Sequence, residues 1–172
     1  KDIYQKSEMR SMGDADILIR EEDYPRIQQV MEKLGFVQTA DTSHVYVWKN
    51  TELLVELHKC LVDKREGGYY SYYGIGWNFA VPGEGTQYSM RDEDAYIFTF
   101  VHFAKHYRSS GIGCRHMVDL YVYRKEIPEL DITYVRRELK KLGLWEFYKN
   151  VTNTLRVWFD DGDVDARTDL IT

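Results

Sequence analysis

Asp14 and Asp16 are one residue apart in an otherwise apolar run, Asp14-Ala15-Asp16-Ile17-Leu18-Ile19, directly after Gly13. Read as a strand, residues 14–19 put Asp14, Asp16 and Leu18 on one face and Ala15, Ile17 and Ile19 on the other. Strand interiors are poor places for carboxylates, whose burial is costly without partners. Glu56 repeats the pattern in Val55-Glu56-Leu57, the middle of a second apolar run. Three carboxylates facing one spot repel and raise each other's pKa unless a cation holds them together. Hard oxygen ligands of this kind select Mg²⁺ or Mn²⁺ over zinc. A plainer assignment competes: Asp14 caps a turn, while Asp16 and Glu56 lie on a wetted sheet face. An Asp-x-Asp pair alone is a weak signal. A second strand supplying a ligand of the same type strengthens it.

Other side chains could serve such a site. His58 lies two residues after Glu56 and points the same way, so it either reaches the site or is a hydrogen-bonded structural histidine. His102 and His106 are spaced i and i+4 on one helix, which can hold zinc. No Glu follows His102 and no third ligand is evident, so a helix face lining a cleft is the better reading. Arg10, Lys105, Arg108 and Arg115 are candidate phosphate partners, since Arg forks match phosphate oxygens. For any one of them, an ordinary surface or structural ion pair is the commoner role. Tyr69, Tyr70, Tyr72, Tyr73, Trp77 and Phe79 could stack a base, although packing is the commoner fate of such aromatics. Gly111-Ile112-Gly113 lacks the preceding strand that a dinucleotide fingerprint needs and reads as a helix connection. Asp161, Asp163 and Asp165 imitate the start of a calcium loop. Ala166 and Thr172 stand where its turn glycine and final Glu belong, which excludes it.

The elements that position these residues fall into two differently patterned halves. After the first strand, Asp23 can cap a helix and Pro25 suits its first turn. Ile27, Val30, Met31 and Leu34 form an apolar stripe on that helix, and Gly35 ends it. Residues 36–39, 45–48 and 52–62 read as strands, the last two joined as a hairpin through Lys49-Asn50-Thr51. Residues 67–88, with six glycines and Pro82, read as a connection without regular structure. From Ser89 the period is helical. Ile97, Val101 and Ala104 mark one helix; Met117, Leu120 and Tyr121 a second; Val135, Leu139 and Leu142 a third, stopped at Gly143. A continuous apolar face from Leu144 to Phe159 marks a fourth. The expected division is an α/β core at 1–88, a helical lobe at 89–159 and an acidic tail at 160–172, with a cleft between core and lobe.

Length and composition bound the possibilities. The 172 residues suffice for one domain or two small lobes, and 44% hydrophobic with 30% charged residues permits a packed core. Lys plus Arg number 23 against 28 Asp plus Glu, a net charge of −5, so general nucleic-acid binding is not expected. No apolar run approaches a membrane span and no signal-peptide pattern opens the chain, so the expected location is the cytoplasm. Cys60 and Cys114 are the two cysteines, too few for a disulfide scaffold or a four-cysteine zinc site.

The stretch Met9-Arg10-Ser11-Met12-Gly13-Asp14-Ala15-Asp16-Ile17-Leu18-Ile19, followed by Leu54-Val55-Glu56-Leu57-His58, resembles the nucleotidyltransferase fold of the DNA polymerase β type. Within it the pattern is similar to a large bacterial family of uncharacterised nucleotidyltransferases. His102-Phe103-Ala104-Lys105-His106, Gly111-Ile112-Gly113-Cys114-Arg115 and Asp119-Leu120 resemble that family's helical half, so the likeness extends to about Phe159.

The resemblance implies an α+β fold, a small mixed sheet with flanking helices followed by an α-helical lobe. It also implies metal-dependent transfer of a nucleoside monophosphate from a nucleoside triphosphate to a hydroxyl on a small molecule or protein, releasing pyrophosphate. By that analogy Asp14 and Asp16 bind two Mg²⁺ or Mn²⁺ ions, about 3.5–4 Å apart in such sites, and Glu56 binds the one that activates the hydroxyl. Arg10, His58, His102, Lys105, His106 and Arg115 are the residues expected to meet the substrate. The superfamily's Gly-Ser or Lys-Gly turn, which grips the triphosphate, is not found in residues 1–13, so the expectation is that it lies upstream of Lys1. Two other readings compete. A catalytically silent nucleotide-binding or interaction module would keep the fold, and intact Asp14, Asp16 and Glu56 argue against it. A glycosidase would use two carboxyl groups about 5–9.5 Å apart and no metal.

Overall fold

The computed structural model describes residues 3–10, 13–109, 111 and 113–163. The expected acidic tail beyond Asp163 therefore lies outside the described residues, as do Ser11, Met12 and Ile112. The chain forms two compact units, one spanning Tyr4–Ala80 and the other beginning at Val81.

The first unit is built on a four-stranded mixed sheet. Its strands are β1 (Ala15–Leu18), β2 (Val37–Asp41), β3 (Val45–Lys49) and β4 (Leu54–His58), in the order β1-β4-β3-β2. β4 pairs parallel with β1 and antiparallel with β3, and β3 pairs antiparallel with β2. Helix α1 (Tyr24–Lys33) supplies the crossover between β1 and β2. Alternation along the strands sends Tyr46, Trp48, Val55 and Leu57 to one face, where they pack with Ile19 and Met31 into a core.

Helix α1 departs from the expected stripe. Val30 and Leu34 are exposed, and the buried line runs instead through Tyr24, Ile27 and Met31. The cause is Tyr24, whose ring stacks on Tyr46 at 3.6 Å between centroids and rotates the contact line toward the helix start. The Asp23 side chain makes no capping hydrogen bond; a 3₁₀ turn, Glu21–Asp23, leads into the helix instead. The other end follows its signal. Gly35, at φ +77°, donates to the Glu32 carbonyl, and the Phe36 N–H reaches the Met31 carbonyl, a closure that needs a left-handed residue.

Strand β4 is shorter than residues 52–62. The Asn50 carboxamide oxygen accepts from the Glu52 and Leu53 N–H groups, which removes them from the ladder. Beyond His58 the chain turns, and Cys60 and Val62 are apolar because they are buried in that turn, not because they are strand residues. Lys59 fixes the exit: its Nζ donates to Asp41 Oδ1 and the Thr42 carbonyl, both at 2.8 Å, and sits 3.8 Å from the Tyr46 ring centroid.

Residues 67–88 are more regular than their glycine content suggested. They contain α2 (Gly68–Tyr73), a 3₁₀ turn at Trp77–Phe79, and a two-stranded ribbon of β5 (Val81–Pro82) and β6 (Tyr88–Ser89). Glycines bound the short helix, and its aromatics pack: Tyr69 and Tyr73 are buried, and Tyr72 stacks on Phe79. Gly76 brings the following turn against the sheet. At φ +99°, any side chain there would overlap Leu61 and press on Leu18. Trp77 then donates its indole N–H to the Ile19 carbonyl at 3.4 Å, with Arg20 over its ring.

The second unit holds the four expected helices, α3 (Asp92–Ser109), α4 (Cys114–Glu126), α5 (Ile132–Lys141) and α6 (Trp145–Phe159). α3 is the central one, with Tyr96, Ile97, Phe100, Val101, Phe103 and Ala104 all buried. Buried Asp94 ties it to α5, accepting from Arg91 Nε at 2.9 Å and from the Tyr134 hydroxyl at 2.6 Å. The apolar face expected on α6 stops short of its end, where Trp158 and Phe159 are exposed. Among the described residues, no helix is long and apolar enough to cross a membrane.

Candidate metal centre

The parallel pairing of β1 with β4 sets Asp16 directly beside Glu56, one register step from Ile17 beside Leu57. Period-2 alternation puts both carboxylates on the face opposite the core, and His58, two residues past Glu56, shares that face. His58 Nε2 lies 2.8 Å from Asp16 Oδ1 and 3.4 Å from Glu56 Oε2. One ligand atom from each of the three residues lies within 4.8 Å of the others. The side chains grade from open to enclosed: Asp16 is 59% exposed, Glu56 30% and His58 19%.

Two carboxylates and one imidazole within this reach are a donor set for a divalent cation. The carboxylates suit Mg²⁺ or Mn²⁺, and the ring nitrogen tolerates Mn²⁺ and later transition metals. The imidazole now sits between the two carboxylates, where Nε2–H can donate to both. Metal ligation would use the same nitrogen without its proton.

The trio differs from the expected one. Asp14 is exposed, precedes the first residue of β1, and stands outside the group formed by Asp16, Glu56 and His58. The alternation that placed Asp14 with Asp16 assumes a strand beginning at residue 14, whereas pairing begins at Ala15. His58, expected on the substrate side, lies among the candidate ligands. Arg10 is half-buried just before β1, in the same unit.

The remaining expected substrate residues belong to the helical unit. His102, Lys105 and His106 lie on α3 and are half-buried; Arg115, on α4, is exposed, as is Arg108 at the end of α3. His102 and His106 face each other, Nε2 to Nε2, at 2.8 Å. The structure adds a third imidazole, His116 on α4, whose ring centroid lies 5.7 Å from that of His102 and 6.3 Å from that of His106. Its signal in the sequence was its place one residue after Arg115, at the start of a helix that must pack on α3.

Near His58 lies a further pair, His44 and Asp63. His44 Nδ1 is 2.9 Å from Asp63 Oδ2, and the His44 ring is 6.3 Å from that of His58. Asp63 is buried and also accepts from the Arg65 N–H at 2.8 Å, and from Arg65 Nη2 at 2.7 Å. Those hydrogen bonds from Arg65, side chain first and backbone second, hold the carboxyl down at about 2, against the opposing effect of burial. The available signal was Asp-x-Arg after an apolar run, the pattern of a side chain bonding its own turn.

A carboxyl with a folded pKa below its unfolded value stabilises the fold above the unfolded pKa and loses that contribution as pH falls. Asp63→Asn is therefore expected to lower stability at pH 7 by about 1–2 kcal/mol, a figure reduced for the solvent screening of exposed Arg65. The gap to the parent chain should close between pH 4 and pH 2. Urea denaturation across that range checks it: a gap that persists at pH 2 would mean packing, not charge, is responsible.

Compared with known families, residues 1–160 match the model described as an uncharacterised nucleotidyltransferase. No curated protein matches the chain significantly, and neither does any solved structure.

Proposed function

The chain belongs to the uncharacterised nucleotidyltransferase family, and from that premise we propose that it moves a nucleoside monophosphate from a nucleoside triphosphate to a hydroxyl acceptor, with a divalent cation held by Asp16, Glu56 and His58. The observation that carries this reading is the register of β1 on β4, which sets two carboxylates side by side with an imidazole nitrogen between them. A bound divalent cation there supplies neutralisation of phosphate charge and acidification of the acceptor hydroxyl.

The chain's own residues do the positioning. Asp16 and Glu56 each offer a carboxylate oxygen from a strand backbone, so their spacing is set by the sheet rather than by a loop. His58, the most enclosed of the three, contacts both carboxylates and would offer the same Nε2, deprotonated, to a bound ion. Arg10, in the same unit as the candidate ligands, is a proposed partner for phosphate oxygens. His102, Lys105, His106 and Arg115, in the helical unit, are proposed as substrate partners on the family resemblance alone. The net charge of −5 favours a small molecule or a protein surface as acceptor over a nucleic acid.

Calorimetric titration of ATP, GTP, CTP and UTP, each with Mn²⁺, tests the proposal. At least one triphosphate should bind, with pyrophosphate released once an acceptor is supplied. If none of the four binds, the reading fails and a catalytically silent module takes its place.

A further inference from the structure

The helical unit contains a cavity of about 520 Å³ at the C-terminal end of α4 and along α6. Tyr121, Arg124 and Lys125 line it from α4, Lys149 and Arg156 from α6, and Asp160 from just beyond α6. That volume falls within the roughly 300–1,000 Å³ range of small-ligand sites. The lining, however, is cationic, in a chain that is acidic as a whole.

Among the described residues, the charges in the cavity are only partly compensated. Lys149 pairs with Glu146 at 2.6 Å, at the rim. Asp160 accepts from the Tyr121 hydroxyl at 2.8 Å and, with Glu126, offsets part of the Lys125 charge. Arg156 is held by neutral oxygens, donating to Asn153 Oδ1 and to the Asp163 carbonyl at 3.1 Å. Among the described residues, no carboxylate forms an ion pair with Arg124 or Arg156. Lys125 lies 4.9 Å from the Tyr121 ring centroid, and that ring is backed by Phe159. Four cationic side chains are thus gathered around one concavity, with Lys125, Lys149 and Arg156 braced by local contacts. Such clustering costs repulsion that an anion relieves.

We propose that this cavity binds the phosphate groups of a small phosphorylated compound. Guanidinium forks at Arg124 and Arg156 match phosphate oxygens in pairs, and the lysines add point charge. A cavity bounded by two helices fits a compact ligand, and the acidic remainder of the chain disfavours a long polyanion. The site contains no residue of the metal centre and needs no metal.

The test uses inorganic pyrophosphate, titrated calorimetrically with EDTA present so that the metal centre contributes nothing. Saturable binding is expected, weakened about tenfold or more by Arg124→Ala combined with Arg156→Ala, since each loses charge-assisted hydrogen bonds. Lys125→Ala combined with Lys149→Ala should weaken it less than the arginine pair does, and Asp16→Asn should leave it unchanged. Both arginines are exposed, so circular dichroism should show the double variant folded. The proposal is overturned by absence of saturable binding up to about 10 mM, or by binding that the arginine substitutions leave intact. It is overturned equally if an RNA oligonucleotide binds at the arginines and pyrophosphate does not displace it. Failure here leaves the nucleotidyl-transfer reading standing, because that reading rests on Asp16, Glu56 and His58, none of which lines this cavity.

Discussion

Asp16→Asn is expected to weaken Mn²⁺ binding by at least about tenfold and to cut nucleotidyl transfer by orders of magnitude, with the fold intact. The substitution removes one of two negative charges from the candidate site while keeping an oxygen that can still accept from His58 Nε2. Asp16 is largely exposed, so little packing is lost. Asp14→Asn is the informative comparison. Family analogy makes Asp14 an equal ligand, whereas the structure leaves it outside the group formed by Asp16, Glu56 and His58. The binding loss should therefore be clearly smaller for Asp14→Asn. Free Mn²⁺ measured by paramagnetic resonance during titration decides it. Unchanged affinity in Asp16→Asn would remove the metal centre from the account.

Trp48→Ala should be the most destabilising of the substitutions considered, by about 3–5 kcal/mol, the range for a fully buried aromatic truncated in a core. Trp48 is 1% exposed. It pairs with Val55 across β3 and β4, on the face opposite Glu56. Its loss would leave a cavity directly under the strand that carries two of the three candidate ligands. Urea denaturation followed by far-ultraviolet circular dichroism measures the loss. A change below about 1 kcal/mol would mean that the core relaxes around the gap and does not hold β4 in place.

The site was partly legible in the sequence because carboxylates in apolar strands are conspicuous, and Asp16 and Glu56 were both found that way. Their partnership depends on β1 lying parallel to β4, which no local pattern encodes. His58 was ambiguous for a related reason: its face was readable from alternation, but its nearness to Asp16 comes from the pairing. Alternation places Asp14 with Asp16 only if the strand extends one residue before Ala15, where its pairing begins. In the helical unit each apolar period located a helix, yet His116 joined His102 and His106 only through the packing of α4 on α3. The misreadings elsewhere share a cause. Tyr24 rotated the buried line of α1, Asn50 shortened β4, and buried tyrosines turned a glycine-rich stretch into α2. In each case side-chain contacts outweighed the local propensity.

The two kinds of pairing in the sheet differ in how much chain they must close. β2, β3 and β4 follow one another through short turns, whereas Asp16 and His58 meet across 42 residues. Closing a long loop costs entropy before any contact repays it, so such pairings form late and open early. The local meander can assemble with Glu56 and His58 already on its edge, and the site remains incomplete until β1 docks. β1 occupies an edge of the sheet, with β4 as its one partner strand, and edge elements are among the first to exchange their amide hydrogens. The donor set thus exists only while the pairing of β1 with β4 is closed, and an ion bound there would act as a clasp on β1.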